Sequence, residues 1–220
     1  MRCLYCFQPI SRPWRFTDLL TFSPASPSLC SDCQASFVRI SDCHCLRCYK
    51  EGEADICEDC SDWEARGREV AHQALYHYNE AMRAFFSRYK FLGDYALAQV
   101  FAPDLRELLQ KEKEWTLVGI PTSPATYKER GFNQVTALLD AAGLAHKEVL
   151  TKMDSAKQSS KNRTQRLASQ QVFAVKDSVD LPTKILLCDD IYTTGATLQL
   201  AKEALLEAGV AHVRSLSLCR

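Results

Sequence analysis

The sequence has no surplus of charge of either sign, because lysine plus arginine and aspartate plus glutamate each number 27 among its 220 residues. It has no apolar run near the roughly 20 residues that a membrane-spanning helix needs. Its start, MRCLYCFQPI, lacks the apolar segment of a secretory signal. Balanced charge argues against nucleic-acid binding through overall attraction and leaves only a local basic patch for that role. We therefore expect a cytoplasmic protein without membrane insertion.

Cysteine, in contrast, is abundant. Nine of the 11 cysteines lie in the first 60 residues, and eight of these form four Cys-x-x-Cys pairs: Cys3/Cys6, Cys30/Cys33, Cys45/Cys48 and Cys57/Cys60. A disulfide framework is not expected, because the cytosol keeps thiols reduced. Two thiolates at this spacing can face one tetrahedral ion from a tight turn, and two such turns complete a four-thiolate zinc site.

Taken in order, the pairs predict two Zn²⁺ sites, Cys3/Cys6/Cys30/Cys33 and Cys45/Cys48/Cys57/Cys60. A single site and redox-active dithiols are the alternatives, and Cys43 lies close enough to the second set to replace one ligand. We expect the metal to be structural. Residues 1–60 have too few large aliphatic side chains to form a core, and four thiolates leave no open position for a catalytic water.

The chain changes character after this zinc module. Residues 61–69 are polar and form a junction, and residues 70–220 alternate apolar strands with helices, which predicts an α/β domain with a parallel sheet covered on both faces. The predicted strands are residues 74–78, 116–121, 171–175, 184–190 and 212–218. The predicted helices are residues 80–91, 95–110 with a break near Pro103, 131–143 and 196–208. Residues 157–169 carry four basic residues and no acid, which predicts a mobile loop.

Residues 185–197, ILLCDDIYTTGAT, run from an apolar strand into Asp189 and Asp190 and then into a turn that starts a helix. Ligands of open α/β sheets bind at the carboxyl ends of the strands, where both carboxylates must lie. Carboxylates suit a sugar diol or a hydrated metal ion. The helix amides and threonine hydroxyls suit a phosphate monoester, and Gly195 lets the backbone approach it closely. The pattern indicates a ribose 5-phosphate.

Other nucleotide motifs fit less well. A P-loop requires a lysine after the glycine, and the dinucleotide fingerprint GxGxxG is absent. A phospho-acceptor aspartate at the strand end has no further support in the sequence. A solvated acid pair followed by a threonine-capped helix is the alternative without a ligand.

Residues 185–197 resemble the phosphoribosyl pyrophosphate (PRPP) motif of type I phosphoribosyltransferases, which is an apolar run, two acids and TTGAT. Over nearly its full length, the chain resembles the competence protein F family (ComF/ComFC and GntX-like proteins). Three features carry this resemblance: the Cys-x-x-Cys pairs, the block GIPTSPATYKERGFNQ at residues 119–134, and the PRPP motif. It implies a type I phosphoribosyltransferase-like domain, residues 70–220, preceded by a small four-cysteine zinc-ribbon module.

The resemblance also implies roles for single residues. Asp189 and Asp190 would hold the ribose hydroxyls, and the 5-phosphate would lie on Thr193, Thr194, Gly195, Ala196 and Thr197. The pyrophosphate side would consist of Pro121, Thr122, Ser123, Lys128 and Arg130, with Mg²⁺ as the cofactor if PRPP is bound. Without the resemblance, residues 128–130 read as an exposed charged turn.

The family acts in natural transformation, so the resemblance implies a late competence protein of DNA uptake. Such a protein would bind single-stranded DNA, PRPP or another phosphorylated ribose, and a ComFA-type ATPase, and its partners could recruit it to the inner face of the membrane. No motif reveals a pocket for an acceptor, so the sequence leaves open whether the protein is an enzyme. An active phosphoribosyltransferase with an unknown acceptor and a PRPP-responsive regulator are the alternatives.

Two basic segments are candidates for contacting nucleic acid. Residues 82–91 interleave Arg83, Arg88 and Lys90 with aromatic residues, a combination that serves stacking and phosphate pairing in single-strand sites. The same aromatic spacing equally predicts a helix face in the core. The second segment carries Lys157, Lys161, Arg163 and Arg166 without aromatic residues, and as a solvated loop it requires no ligand.

Overall fold

The computed structural model describes residues 1–10, 29–153, 171–177 and 179–220. In chain order the elements are α1 Ser31–Ser36, α2 Glu58–Ala65, β1 His72–Tyr76, α3 Glu80–Phe91, a 3₁₀ helix Tyr95–Val100, α4 Ala102–Leu109, β2 Thr116–Gly119, α5 Pro124–Arg130, α6 Gln134–Ala141, β3 Leu150–Lys152, β4 Phe173–Val175, β5 Lys184–Ile191, α7 Ala196–Glu207 and β6 His212–Cys219.

Four strands form a parallel sheet in the order β1-β6-β5-β2. The two eight-residue strands, β5 and β6, occupy its centre and are mostly buried. The predicted α/β class with a parallel sheet is therefore confirmed. The short strands β3 and β4 pair antiparallel as a separate two-stranded unit. Because all four sheet strands run the same way, their carboxyl ends meet at one edge of the sheet.

Residues of β5 alternate between two cores, as side chains of a strand covered on both faces must. Leu186 and Cys188 pack with α3, α4, α6 and the 3₁₀ helix on one face. Ile185 and Leu187 pack on the other face with α7, the β3–β4 pair and the cysteines at positions 45–60. Residues 45–60 are thus part of the second core, whereas Leu4, Tyr5 and Phe37 pack on the first.

Helix α3 illustrates how the local sequence forms these elements. The Asn79 side chain caps the helix by accepting a hydrogen bond from the Met82 amide at 3.0 Å. Met82, Phe85, Phe86 and Tyr89 are buried, so most of the apolar residues of this segment form a core face. The break predicted near Pro103 is also confirmed, because the 3₁₀ helix ends at Val100 and α4 begins at Ala102 with Pro103 in its first turn.

Helix α5 was not predicted, since residues 124–127 were assigned to no element and residues 128–130 were interpreted as an exposed charged turn. Ser123 caps it by accepting a hydrogen bond from the Thr126 amide at 3.3 Å, and Pro124 stands at its start. Gly131, with φ +80°, ends the helix after seven residues. The helix is defined by these end residues. It is too short and too exposed to show the apolar periodicity by which a longer helix is predicted. Among the described helices, none has the length and apolar content to cross a membrane.

Candidate functional site

The eight paired cysteines come together in two groups of four, with the membership that the sequence order predicts. Within each group the sulfur atoms lie within 4.8 Å of one another. The Cys6–Cys30 sulfurs are 3.6 Å apart, and the Cys48–Cys57 sulfurs are 3.5 Å apart. Four sulfurs about 2.3 Å from a central zinc ion are roughly 3.8 Å from each other, so each group has the size of a tetrahedral zinc site. Cys43 is exposed and belongs to neither group.

The two groups are built in the same way. In each, a tight turn carries the first pair, and the residue after it, Phe7 or Tyr49, has a φ of +62°. The amides of these two residues donate to the carbonyls of Cys3 and Cys45 at 2.9 and 3.0 Å. The second pair of each group begins a helix, α1 or α2, whose N-cap is the first cysteine of that pair. The repeat CLYCF and CLRCY, which our sequence analysis missed, is the signal for this duplication.

Amide groups point at the sulfurs and favour their ionised form. The Cys57 amide donates to Cys45 Sγ at 3.3 Å, and the Arg47 amide donates to the same atom at 3.5 Å. Burial opposes ionisation, but these amide bonds lower the pKa of Cys45 to about 7. Burial raises the pKa of Cys48 to about 12 and that of Cys60 above its usual range, so Cys45 is the thiol of this group whose surroundings favour a thiolate before a metal binds. The spacing of the four sulfurs is what matches the second group to a zinc ion.

A cavity of about 360 Å³ opens at the carboxyl ends of β2 and β5. Most of the residues expected to bind PRPP line it, together with side chains that our sequence analysis did not assign there. The lining consists of Lys90, Ile120, Pro121, Thr122, Ser123, Thr126, Arg130, Gln134, Val135, Lys152, Asp189, Asp190, Ile191, Thr193 and Thr197. Residues 120–135 and 189–197, with Lys90 and Lys152, thus form one concave site, as the topology of an open α/β sheet allows.

The two carboxylates have different surroundings. Asp190 is nearly buried and forms an ion pair with Lys90, with 2.7 Å between the charged atoms. Lys90 also lies 4.8 Å from the centre of the Phe86 ring. Burial and the Asp190 charge raise the pKa of Asp189 to about 7. The negative charge of Asp189 is therefore poorly stabilised in the ligand-free protein. A hydroxyl donor or a cation in the cavity would stabilise it, so Asp189 is suited to bind such a ligand.

The turn after β5 presents the start of α7 to the cavity. Gly195 is the N-cap of α7 with a φ of +81°, and Thr193 and Thr197 line the cavity on either side of it. The first amides of a helix have no intrahelical acceptor and attract anions. Thr194, Gly195 and Ala196 are also in this turn but are not among the lining residues.

Position 195 requires glycine for two reasons, namely its positive φ and the closeness of the Tyr192 side chain. A Cβ at this position would lie 2.6 Å from Cζ of Tyr192. We expect Gly195→Ala to lower the unfolding temperature and to weaken ribose 5-phosphate binding. Positive φ costs alanine about 1–2 kcal/mol, and the overlap adds roughly 1–3 kcal/mol. Thermal unfolding and calorimetric titration measure the two effects.

Gly209→Ala is the matched control. Gly209 also has a positive φ, +97°, but a Cβ there meets nothing within 4 Å. It carries the backbone strain without the overlap. If both variants lose the same stability and keep the same affinity, Tyr192 does not constrain this turn.

The residues expected on the pyrophosphate side are only partly brought together. Pro121, Thr122, Ser123 and Arg130 line the cavity, whereas Lys128 is exposed on α5 and does not. Arg130 donates to Gln134 Oε1 at 3.0 Å, which fixes its guanidinium at the cavity rim.

Lys152 also lines the cavity, and sequence reasoning missed it. It belongs to the three-residue strand β3, which is too short to show alternation.

The basic residues of α3 occupy three different environments. Lys90 pairs with Asp190 in the cavity. Arg88 pairs with Asp94 at 2.7 Å and packs over the Tyr5 ring, which fastens the first cysteine group to α3. Arg83 is exposed and has Glu80 3.6 Å away. Lys157, Lys161, Arg163 and Arg166, with the loop predicted at residues 157–169, lie outside the described residues.

Comparison with known proteins finds no matching family model. The chain is 46% identical to competence protein ComFC of Streptococcus pneumoniae over 220 residues, which covers the whole of both proteins. It is 33% identical to competence protein ComFC of Bacillus subtilis over 227 aligned residues, covering 99% of this chain and 94% of that protein. It is 26% identical to competence protein F of Haemophilus influenzae over 216 residues, covering 89% and 92% of the two chains.

Proposed function

Because this chain belongs to the ComFC family of competence proteins, we propose that it takes part in DNA uptake by binding single-stranded DNA and PRPP or another phosphorylated ribose. One observation carries the proposal: the cavity at the sheet edge collects two adjacent carboxylates, a helix-start turn and an arginine around one volume. These groups match the diol, the 5-phosphate and the pyrophosphate of PRPP respectively.

The proposed ligand occupies the cavity in a defined direction. Asp189 and Asp190 accept hydrogen bonds from the ribose hydroxyls, while the turn at residues 193–197 receives the 5-phosphate. Arg130 faces the pyrophosphate, and Mg²⁺ would offset the remaining charge of that group. Lys90 is released from Asp190 as the hydroxyls bind and becomes a further cation beside the ligand. Eight cysteine thiolates would hold two structural zinc ions.

A second cavity of about 550 Å³ supports a place for DNA. It runs along α3 and shares Lys90 and Ile191 with the first cavity. Phe91, with 73% of its surface exposed, lies at its rim, and the Arg130 guanidinium is 5.7 Å from the centre of that ring. Exposed aromatic faces beside cations bind single strands without sequence preference. We propose that bases stack on Phe91 while Arg83 faces the phosphates.

The same cavity favours a second candidate function. A transferase needs room for an acceptor next to the sugar carbon, and a cavity that adjoins the proposed PRPP site provides it. An active phosphoribosyltransferase would release pyrophosphate when the acceptor is supplied. The ComFA-type ATPase and recruitment to the membrane remain proposals that rest on the family alone.

Fluorescence anisotropy of a labelled single-stranded oligonucleotide tests the DNA site. We expect Phe91→Ala in the zinc-loaded protein to weaken binding about 10-fold without changing its salt dependence, because stacking contributes about 1–3 kcal/mol per base. Arg83→Gln should instead lower the salt slope by about 1. Adding PRPP with Mg²⁺ should weaken the DNA complex if phosphates enter the first cavity.

Leu206→Ala, which shortens an exposed apolar side chain on α7, is the control and should bind DNA as the unmodified protein does. Equal binding by all three variants would place the DNA site elsewhere on the protein. An unchanged anisotropy at low salt would reject direct DNA binding.

A further inference from the structure

The second cysteine group contacts the phosphate turn directly through α2. This helix starts at the ligand Cys57, contains the ligand Cys60 and carries Trp63 one turn later. The indole Nε1 of Trp63 donates to the Thr194 carbonyl at 2.8 Å, across 131 residues of sequence. The orientation of Trp63 is therefore set by the same short helix that presents two of the four sulfurs.

Arg220 makes a second connection. Its Nη1 donates to the Thr193 carbonyl at 2.9 Å, and its Nη2 lies 3.5 Å from Asp59, which stands between Cys57 and Cys60. Only 6% of the Arg220 side chain is exposed, and its Nε has no acceptor among the described residues. A buried cation with an unpaired donor near Cys48 suits the negative charge that a zinc-bound thiolate group carries.

Tyr192 lies between Arg220 and Gly195 of the phosphate turn. Its ring lies 4.5 Å from the Arg220 guanidinium carbon and 4.1 Å from the His72 ring centre. Tyr192 belongs to the same buried cluster as the four cysteines at positions 45–60, so its ring lies close to the second cysteine group. The other side of the ring limits the space at Gly195.

The hydrogen bonds to the carbonyls of Thr193 and Thr194 determine where the amides of the turn at residues 193–197 point. In a planar trans peptide the C=O and the following N–H point in opposite directions. Arg220 and Trp63 hold the carbonyls of Thr193 and Thr194, so the amides of Thr194 and Gly195 are directed away from these two side chains. The turn is thereby prepared for an anion before one arrives.

We propose that zinc at Cys45/Cys48/Cys57/Cys60 and a phosphate monoester at residues 193–197 bind cooperatively, with Trp63 and Arg220 as the positioning residues that couple them. This inference rests on the proposed phosphoribosyl site. Zinc fixes the start of α2, which fixes Trp63 and Asp59 and so the two carbonyls. By linkage, the phosphate ligand must raise the affinity for this zinc ion by the same factor.

Trp63→Phe tests the coupling, because it keeps an aromatic ring and removes the single N–H donor. We expect the zinc-loaded variant to bind ribose 5-phosphate and PRPP about 3- to 10-fold more weakly, the usual effect of losing one hydrogen bond. Inorganic pyrophosphate, which does not need the phosphate turn, should bind unchanged. Trp115→Phe, a ring that packs against Arg214, is the matched control and should leave all three affinities unchanged. Equal affinities in Trp63→Phe and the unmodified protein would overturn the coupling.

Zinc release measures the reciprocal effect on the unmodified protein. A coloured chelator should require a concentration about 3- to 10-fold higher to remove half of the zinc of one group at equilibrium when ribose 5-phosphate is present. Trp63→Phe should lose this protection, and pyrophosphate should not produce it. Release that ignores ribose 5-phosphate would overturn the coupling while leaving a measured PRPP affinity intact, whereas a protein that binds neither sugar phosphate would fail the proposed function itself.

Discussion

Asp189→Asn is expected to weaken PRPP binding by about 10- to 100-fold while making the ligand-free protein more stable. The loss of affinity follows because hydrogen bonds to a charged group contribute about 1.5–3 kcal/mol. The gain in stability follows from the partial burial of Asp189 next to Asp190, which makes its ionised form costly. Opposite signs for the two effects are typical of residues retained for function.

The pH dependence gives the sign of the stability effect. Between its ordinary pKa of 3.8 and its raised pKa of about 7, the folded chain keeps the Asp189 proton that the unfolded chain has released. The Asp189 contribution to the free energy of unfolding therefore falls as pH rises through this interval. The variant Asp189→Asn has no such loss of unfolding free energy. Its unfolding temperature at pH 8 should exceed that of the unmodified protein by about 2–4 °C, which corresponds to about 1 kcal/mol of unfolding free energy in a chain of this size.

Asp180→Asn, at an exposed position before β5, is the control for removing one negative charge. It should change neither the affinity nor the unfolding temperature. If Asp189→Asn lowered stability and left PRPP binding intact, the assignment of Asp189 to the ligand would be wrong.

Cys60→Ser should produce the largest loss of stability. Cys60 is fully buried, and its sulfur lies 3.9 Å from that of Cys45 within the second core. Structural zinc contributes about 10–16 kcal/mol of apparent binding free energy in zinc-finger peptides, so losing one ligand should remove one of the two zinc ions that the cysteine groups could hold. We expect the unfolding temperature to fall by about 10 °C or more. Metal analysis and thermal unfolding give the two readouts.

Cys43→Ser is the matched control, because Cys43 is an exposed thiol outside both groups. It should keep both zinc ions and its unfolding temperature. A variant Cys43→Ser that lost zinc, or a variant Cys60→Ser that kept all of it, would show that the ligand sets differ from the two groups described here.

The sequence predicted the parts of the site that lie on long or strongly patterned segments. β5 with Asp189 and Asp190 was predicted because an apolar run, two acids and a glycine turn follow one another within 13 residues, so the pattern is recognisable without any distant contact. The pairing of cysteines also followed from local spacing. Lys90, in contrast, was interpreted as a candidate for DNA, because nothing in α3 indicates that its ammonium lies 2.7 Å from Asp190, 100 residues later.

The residues that the sequence did not predict owe their positions to contacts between distant segments. Trp63 belongs to a polar junction in the sequence, and only folding brings its indole to the Thr194 carbonyl. Arg220 similarly gains its contacts from the carboxyl end of β6, next to β5. Such side chains carry no periodicity or motif, because their partners are set by the order of strands in the sheet.

Calorimetric titration of the zinc-loaded protein with PRPP and Mg²⁺, at pH 6 and at pH 8, tests the central claim most directly. The proposed site predicts saturable binding that is tighter at pH 8, where Asp189 is ionised, and that Asp189→Asn weakens at that pH. The absence of heat at both values, or equal affinities for the unmodified protein and Asp189→Asn at pH 8, would contradict a phosphoribosyl site at the end of β5.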